Sequence, residues 1–204
     1  MDVSALPPRP DPHTGQPRPP HAPLDPGWSP GDRDHSASNG PGPPPGQSPI
    51  LESYRPSTRV AVGTGVFCAA ILFLYASLRL HGLRWVIEAR AWPVWLIVLS
   101  MVPLYFRSLR ADRITAGADW LRYRKQWVRT YELTSVSLKP SGPKLMLQLV
   151  DRDQRKLRIP LYFMQKHREL WDLVYNGILH SVYLGHAEVD SGARHHLKLP
   201  YSLS

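Results

Sequence analysis

Apolar and polar positions divide the chain into three stretches with different periods. Residues 1–58 have none: large apolar side chains are few and scattered among prolines, glycines and short polar residues. Such a segment cannot bury enough surface to offset the entropy of ordering, so the sequence predicts a disordered Pro-rich tail with polyproline II character. Pro-x-x-Pro spacings occur in it, at Pro7–Pro10 and Pro17–Pro20, and such spacings can dock on aromatic grooves. In a stretch this rich in proline they arise by chance, and a semi-rigid tether is the simpler reading.

Residues 59–106 are apolar in two long runs. Val60–Leu78 carries no charge in 19 residues, which at ~1.5 Å per residue reaches about 28 Å, close to the hydrocarbon thickness of a bilayer. Ala91–Phe106 is 16 uncharged residues, short for a span unless its flanks extend it and Arg90 or Arg107 snorkels. Together they predict a transmembrane helical hairpin with spans at about 60–78 and 89–107. A re-entrant second segment is the rival, given its length and its two prolines, Pro93 and Pro103. A buried hairpin in a water-soluble domain is disfavoured, because neither run has a polar face to show to water. Arg55, Arg59, Arg107, Arg110 and Arg113 flank the hairpin, whereas Arg79, Arg84 and Arg90 lie within its loop. Five against three puts both termini on the cytoplasmic side of the cell membrane, the chain crossing it twice.

In residues 107–182 the period shortens to two. Arg113–Ala116 and Trp120–Arg124 read as short strands around a turn, and Val128–Lys139 as an extended segment. Leu133 and Val136/Leu138 differ in parity there, which predicts a bulge near Thr134–Ser135. Lys144–Val150 and Lys156–Leu161 alternate cleanly and form the clearest hairpin. It places Leu145, Leu147, Leu149, Leu157, Ile159 and Leu161 inward, with Lys156 and Arg158 outward. Met164, His167, Leu170, Trp171, Val174 and Ile178 then recur at helical spacing, predicting a helix over 163–182, with Lys166, Arg168, Glu169 and Asp172 on its polar side and a possible early stop at Asn176–Gly177. Residues 183–204 read as a flexible tail. The predicted fold class is an α+β membrane protein: a disordered tail, a two-helix hairpin, and a small antiparallel sheet or partial barrel capped by a C-terminal helix.

The run ITAGADWLRYR, WVRTYELTSVSLKP, KLMLQLVDRDQRKLRIPL and FMQKHRELWDLVYNGI resembles bacterial pleckstrin-homology-like (PH-like) domains. The likeness covers about residues 55–182. Tyr131–Val136 occupies a segment in which that family often has Trp at the place of Tyr131, and Leu170–Val174 the core of the closing helix. Two membrane spans directly before the domain are common in bacterial members. The resemblance implies a barrel closed by a helix, with ligand contact at loops of the open end.

Composition adds a compartment and a charge map. The single cysteine, Cys68, excludes a disulfide framework and any multi-cysteine metal site. Arg outnumbers Lys 19 to 6, a bias of GC-rich bacterial genomes such as those of actinomycetes. The net charge of +9 is the sum of −2 in residues 1–58, +3 in 59–106 and +8 in 107–204. No phosphate-binding glycine loop, nucleophile elbow or metalloprotease motif is present. Asp151 and Asp153 read as a solvated turn rather than an acid–base pair, and His195–His196 lie in the tail. The sequence therefore predicts no enzyme, no catalytic residue, no cofactor and no metal. The remaining candidates are basic: Arg122, Arg124, Arg152, Arg155 and Lys156, held near the cytoplasmic leaflet. They fit anionic lipid headgroups or a protein partner. Nucleic acid is not expected, although Trp120, Tyr123 and Trp127 interleave with arginines. The alternative function is an accessory subunit of a membrane complex, assembled through the hairpin and the Pro-rich tail.

Overall fold

The computed structural model describes residues 6–24, 42–54, 113–142 and 144–199, with isolated helical positions between Gly63 and Tyr75 and at Trp92 and Leu96. The chain divides into two units, Met1–Tyr54 with Arg113–Ser204, and Arg55–Asp112.

In the larger unit, β1 (Glu52–Tyr54), β2 (Ile114–Ala116), β3 (Trp120–Tyr123) and β4 (Gln126–Arg129) pair in chain order as one antiparallel sheet, sheet A. In sheet B, β5 (Leu133–Ser141), β6 (Lys144–Asp151) and β7 (Lys156–Pro160) form a second antiparallel meander. β8 (Glu188–Val189) adds in parallel to the free edge of β5. Helices α1 (Leu161–Gln165), α2 (Arg168–Tyr183) and α3 (Ser191–His196) complete an α+β fold.

Alternation explains the core. Leu147 and Leu149 of β6 and Leu157 and Ile159 of β7 are fully buried, and they join Leu121 and Val128 from sheet A in one cluster. Leu170, Trp171, Val174 and Ile178 of α2 close it, packing where β1, β2 and β5 meet the helix. The expected bulge lies between Leu133 and Ser135, so Leu133 and Val136 both turn inward despite their parity. The extended segment predicted for Val128–Lys139 is broken at Thr130–Glu132, where the chain passes from sheet A to sheet B. Ser181 of α2 pins that crossing: its hydroxyl donates to Thr130 O (2.9 Å) and accepts from Leu133 N (3.0 Å).

The helix predicted over 163–182 is two helices. His167 adopts an extended backbone and its Nδ1 accepts the Leu170 N–H (3.2 Å), capping α2 and separating it from α1. Asn176–Gly177 does not stop α2. Gly177 is the point of closest approach to Thr130, where an added Cβ would lie 2.5 Å from Thr130 Cβ and 2.9 Å from its carbonyl oxygen.

Two expectations are corrected. The Pro-rich segment 1–58 was expected to be disordered; its described residues, 6–24 and 42–54, supply β1 and rest against the β lobe, and its other residues lie outside the described ones. The tail expected to be flexible supplies β8 and α3, with Ala193, Leu197 and Leu199 buried in the common core. Both segments lack periodicity because they are bound through backbone groups and single side chains rather than along a face.

In the smaller unit, Val66, Phe67, Ile71, Leu74, Tyr75, Trp92 and Leu96 are helical and at least half exposed. At 100° per residue Val66, Phe67, Ile71, Leu74 and Tyr75 spread over about half of the helix circumference, wider than the stripe of an ordinary surface helix. Most of both expected spans lies outside the described residues. No helix among the described residues is long and apolar enough to cross a membrane.

Candidate functional site

The five basic residues predicted from the sequence sit at two neighbouring turns. Arg122 is on β3 and Arg124 is in the β3–β4 turn, at a φ of 58°. Arg152 and Arg155 are in the β6–β7 turn, and Lys156 opens β7. Trp127 links the two turns: it is the cross-strand partner of Arg122, and the Arg155 guanidinium stacks 3.8 Å from its ring centre. Three of the five are engaged within the chain, Arg124 lying 5.4 Å from the centre of the Tyr123 ring. Arg155 pairs with Asp153 (3.0 Å) and lies 3.7 Å from Asp151, while Arg122 donates to the Gly42 carbonyl (3.2 Å). Asp151 is not the solvated turn residue expected. It is fully buried, and its carboxylate accepts the backbone N–H groups of Arg155 (2.9 Å) and Arg129 (3.3 Å), which fixes the turn. Arg152 and Lys156 are exposed.

Strand register assembles a larger basic surface than those five residues define. Ser137 faces Gln148 and Gln148 faces Arg158; Lys139 faces Met146, and Val150 faces Lys156. The outer side of β5–β7 therefore carries Lys139, Lys144, Lys156 and Arg158 among Ser137, Met146, Gln148 and Val150, and no outward position of these three strands is acidic. Arg158 is held upright by its Nε donating to Gln148 Oε1 (3.1 Å). A shallow groove of about 520 Å³ runs along the β8 side, lined by Ser135, Gln148, Val150, Lys156, His186 and Glu188. The alternation of β7 announced Lys156 and Arg158. Lys139 and Lys144 join them only through the pairing of β5 with β6.

A second site forms where residues 6–24 cross α2. Asp172, Asn176 and His180 follow at four-residue intervals, so they line one side of the helix. His180 Nε2 contacts Pro7 O (2.7 Å), and Asn176 Nδ2 donates to Pro8 O (3.2 Å) and to Tyr131 Oη (3.1 Å). Asp172 accepts the Ala22 N–H (2.8 Å) and meets His21 Nδ1 (2.9 Å), and Trp171 Nε1 donates to Pro23 O (2.9 Å). The Arg9 guanidinium lies 4.8 Å from the centre of the Tyr131 ring. Asp172, expected on the polar exposed side, is thus buried under the Pro-rich segment. Burial pushes the Tyr131 hydroxyl up to about 12, against the opposing pull of Arg9 and the Asn176 hydrogen bond. Asn176 Oδ1 and His180 Nδ1 are buried and accept nothing among the described residues. An empty buried acceptor costs on the order of 1–3 kcal/mol.

Glu52, His167 and Glu169 bring potential metal ligands within 4.8 Å of one another. The chemistry opposes a metal there. His167 Nδ1 accepts the Leu170 N–H, so the ring proton resides on Nε2, the atom a metal would need. That nitrogen lies 3.8 Å from Glu169, and Glu52 is held by Arg18 at 2.6 Å. The cluster is an ion-pair and capping network that fastens β1 and the Pro-rich segment to the start of α2.

No family model matches this chain, and comparison with the curated proteins and with the solved structures found no match.

Proposed function

We propose that this chain is a membrane-anchored, non-enzymatic binding module, whose PH-like lobe lays the outer face of sheet B against anionic headgroups at the cytoplasmic surface. The observation that carries the reading is the outer side of β5–β7, where Lys139, Lys144, Lys156 and Arg158 stand with no outward acidic residue on those strands and Glu188 of β8 lies at the edge. Each Lys or Arg held near an anionic leaflet gains roughly 1 kcal/mol, and a flat sheet lets several act together. The PH-like part of the reading draws on a four-strand meander, a three-strand meander and a following helix, all on one core. The anchoring part draws on the exposed apolar helical positions from Val66 to Tyr75. These same positions would suit a partner helix, which keeps the accessory-subunit reading as the competitor.

The test uses the full chain in lipid nanodiscs, neutral or containing anionic phospholipid. Amide exchange in β5–β7 should slow in anionic discs only, and the protection should fade as salt rises. Lys139→Glu, Lys156→Glu and Arg158→Glu together should erase it. Equal exchange in both lipids would end the headgroup reading, and a stoichiometric membrane partner copurifying with the chain would favour the competitor. Release of the chain from membranes by alkaline carbonate alone would overturn the anchoring.

A further inference from the structure

The seat of residues 7–23 on α2 is matched to proline. Three side-chain donors, Trp171 Nε1, Asn176 Nδ2 and His180 Nε2, meet three carbonyl oxygens, and all three belong to prolines, Pro23, Pro8 and Pro7. The acceptor in the row, Asp172, takes the backbone N–H of Ala22, a residue that has one to give. The segment closes a turn on its own hydrogen bonds at Asp11–Gln16, and the proline stretches on either side present carbonyls that no internal bond uses, so a row of donors recognises them. Pro19 and Ala22, both buried, are one three-residue turn of a polyproline-type chain apart. Tyr131 adds an aromatic surface on which Arg9 stacks, the other element of proline-rich recognition.

The segment is nevertheless an incomplete ligand. Asn176 Oδ1 and His180 Nδ1 are buried without a donor among the described residues. The two residues held beside these side chains are Pro7 and Pro8, which have no N–H to offer. We propose that the α2 groove is a recognition site for proline-rich peptides that fold back through a turn, which residues 7–23 fill in cis as a displaceable latch. The partner it fits is a proline-rich peptide bearing an N–H where Pro7 or Pro8 stands. A latch in place lowers the apparent affinity for such a partner by the fraction of time the groove is open. A short tether holds the latch at an effective concentration in the millimolar range, so a competitor must approach that concentration.

The full chain in detergent tests this with a fluorescein-labelled peptide of residues 6–24. Ala22→Asp puts a carboxylate against Asp172 and should release the latch while leaving the groove intact. Its affinity for the labelled peptide should exceed that of the wild-type chain by about tenfold or more. Asn176→Ala added to Ala22→Asp should abolish the gain, and a Pro8→Ala peptide should bind tighter than the native one. In the unaltered chain, exchange of the Ala22 amide, which Asp172 holds, should accelerate as unlabelled peptide reaches millimolar concentration. No gain in the Ala22→Asp chain, or a gain that survives Asn176→Ala, would overturn the proposal. If Ala22→Asp does not fold, the exchange measurement on the unaltered chain decides alone, and indifference of the Ala22 amide to the peptide there is fatal. A dimer of unaltered chains that the peptide dissociates would assign the occupant to a second copy and overturn the cis latch.

Discussion

The two sheets share one core but differ on their outer sides. In sheet A, Trp120 and Leu121 are adjacent along β3 and so face opposite ways, yet both are fully buried. In sheet B, Leu147 and Leu149 are buried while Met146, Gln148 and Val150 between them are not. Antiparallel sheets commonly keep one wet face, so sheet B needs no special cause. Sheet A does, and the cause is the Pro-rich chain. Ser48 O accepts from Trp120 Nε1 (2.9 Å), Ser48 Oγ donates to Asp119 (2.7 Å), and Gly42 O accepts from Arg122. A segment too poor in apolar side chains to build a core still serves as a cover, because its carbonyl oxygens satisfy indole and guanidinium donors that the sheet would otherwise leave dry. The same device recurs at Trp171 and Pro23 on α2. A bare cationic face and a covered aromatic face therefore mark which side of the lobe is available to a surface.

The sharpest way to break this comparison is Trp120→Ala. If the cover makes the outer side of sheet A a second core, the substitution should cost about 3–5 kcal/mol in thermal or denaturant unfolding, as a deep core truncation does. A loss no larger than that of a surface change would show the cover to be incidental. The next effect is Ser181→Ala, at the link between the sheets. It strands the Leu133 N–H and the Thr130 carbonyl, and the expected loss is about 1–3 kcal/mol. Alkaline titration probes the two sides of α2. Burial holds the hydroxyls of Tyr131 and Tyr175 up at about 12, against an ordinary value of 10.0. A raised folded-state value contributes stability that is complete below pH 10 and is lost as pH climbs toward 12. Melting temperatures should fall across that window, and Tyr131→Phe with Tyr175→Phe should flatten the fall while leaving a gap at pH 7 that does not vary with pH. The smallest effect belongs to Gln148→Ala on the bare face of sheet B, within about 0.5 kcal/mol. A larger loss would mean that this face is covered after all.

Much of sheet B was legible in the chain. The alternation in Lys144–Val150 and Lys156–Leu161 placed their inward leucines, and the parity conflict at Leu133 located the bulge. The basic residues were legible as a composition but not as a surface. Arg122 and Arg155 look as free as Lys156 in the sequence, yet Gly42 and the Asp151–Asp153 turn occupy them. The break at His167 escaped the periodicity because a capping side chain interrupts hydrogen bonding without disturbing the spacing of apolar residues. The α2 groove gave no local signal at all. Asp172 read as part of the polar side of the helix and Asn176–Gly177 as its possible end, and the prolines that cover them read as a tether.

Periodicity by itself determined the inward side of each strand in sheet B and the apolar side of α2, because those depend only on neighbours within a turn or a pleat. Which prolines are held was decided by contacts between residues from 148 to 173 positions apart, and which cations share a face by cross-strand register. A backbone carbonyl is the same in every residue, so the chain carries no mark of which one an indole or a histidine will find until the helix that bears them is in place.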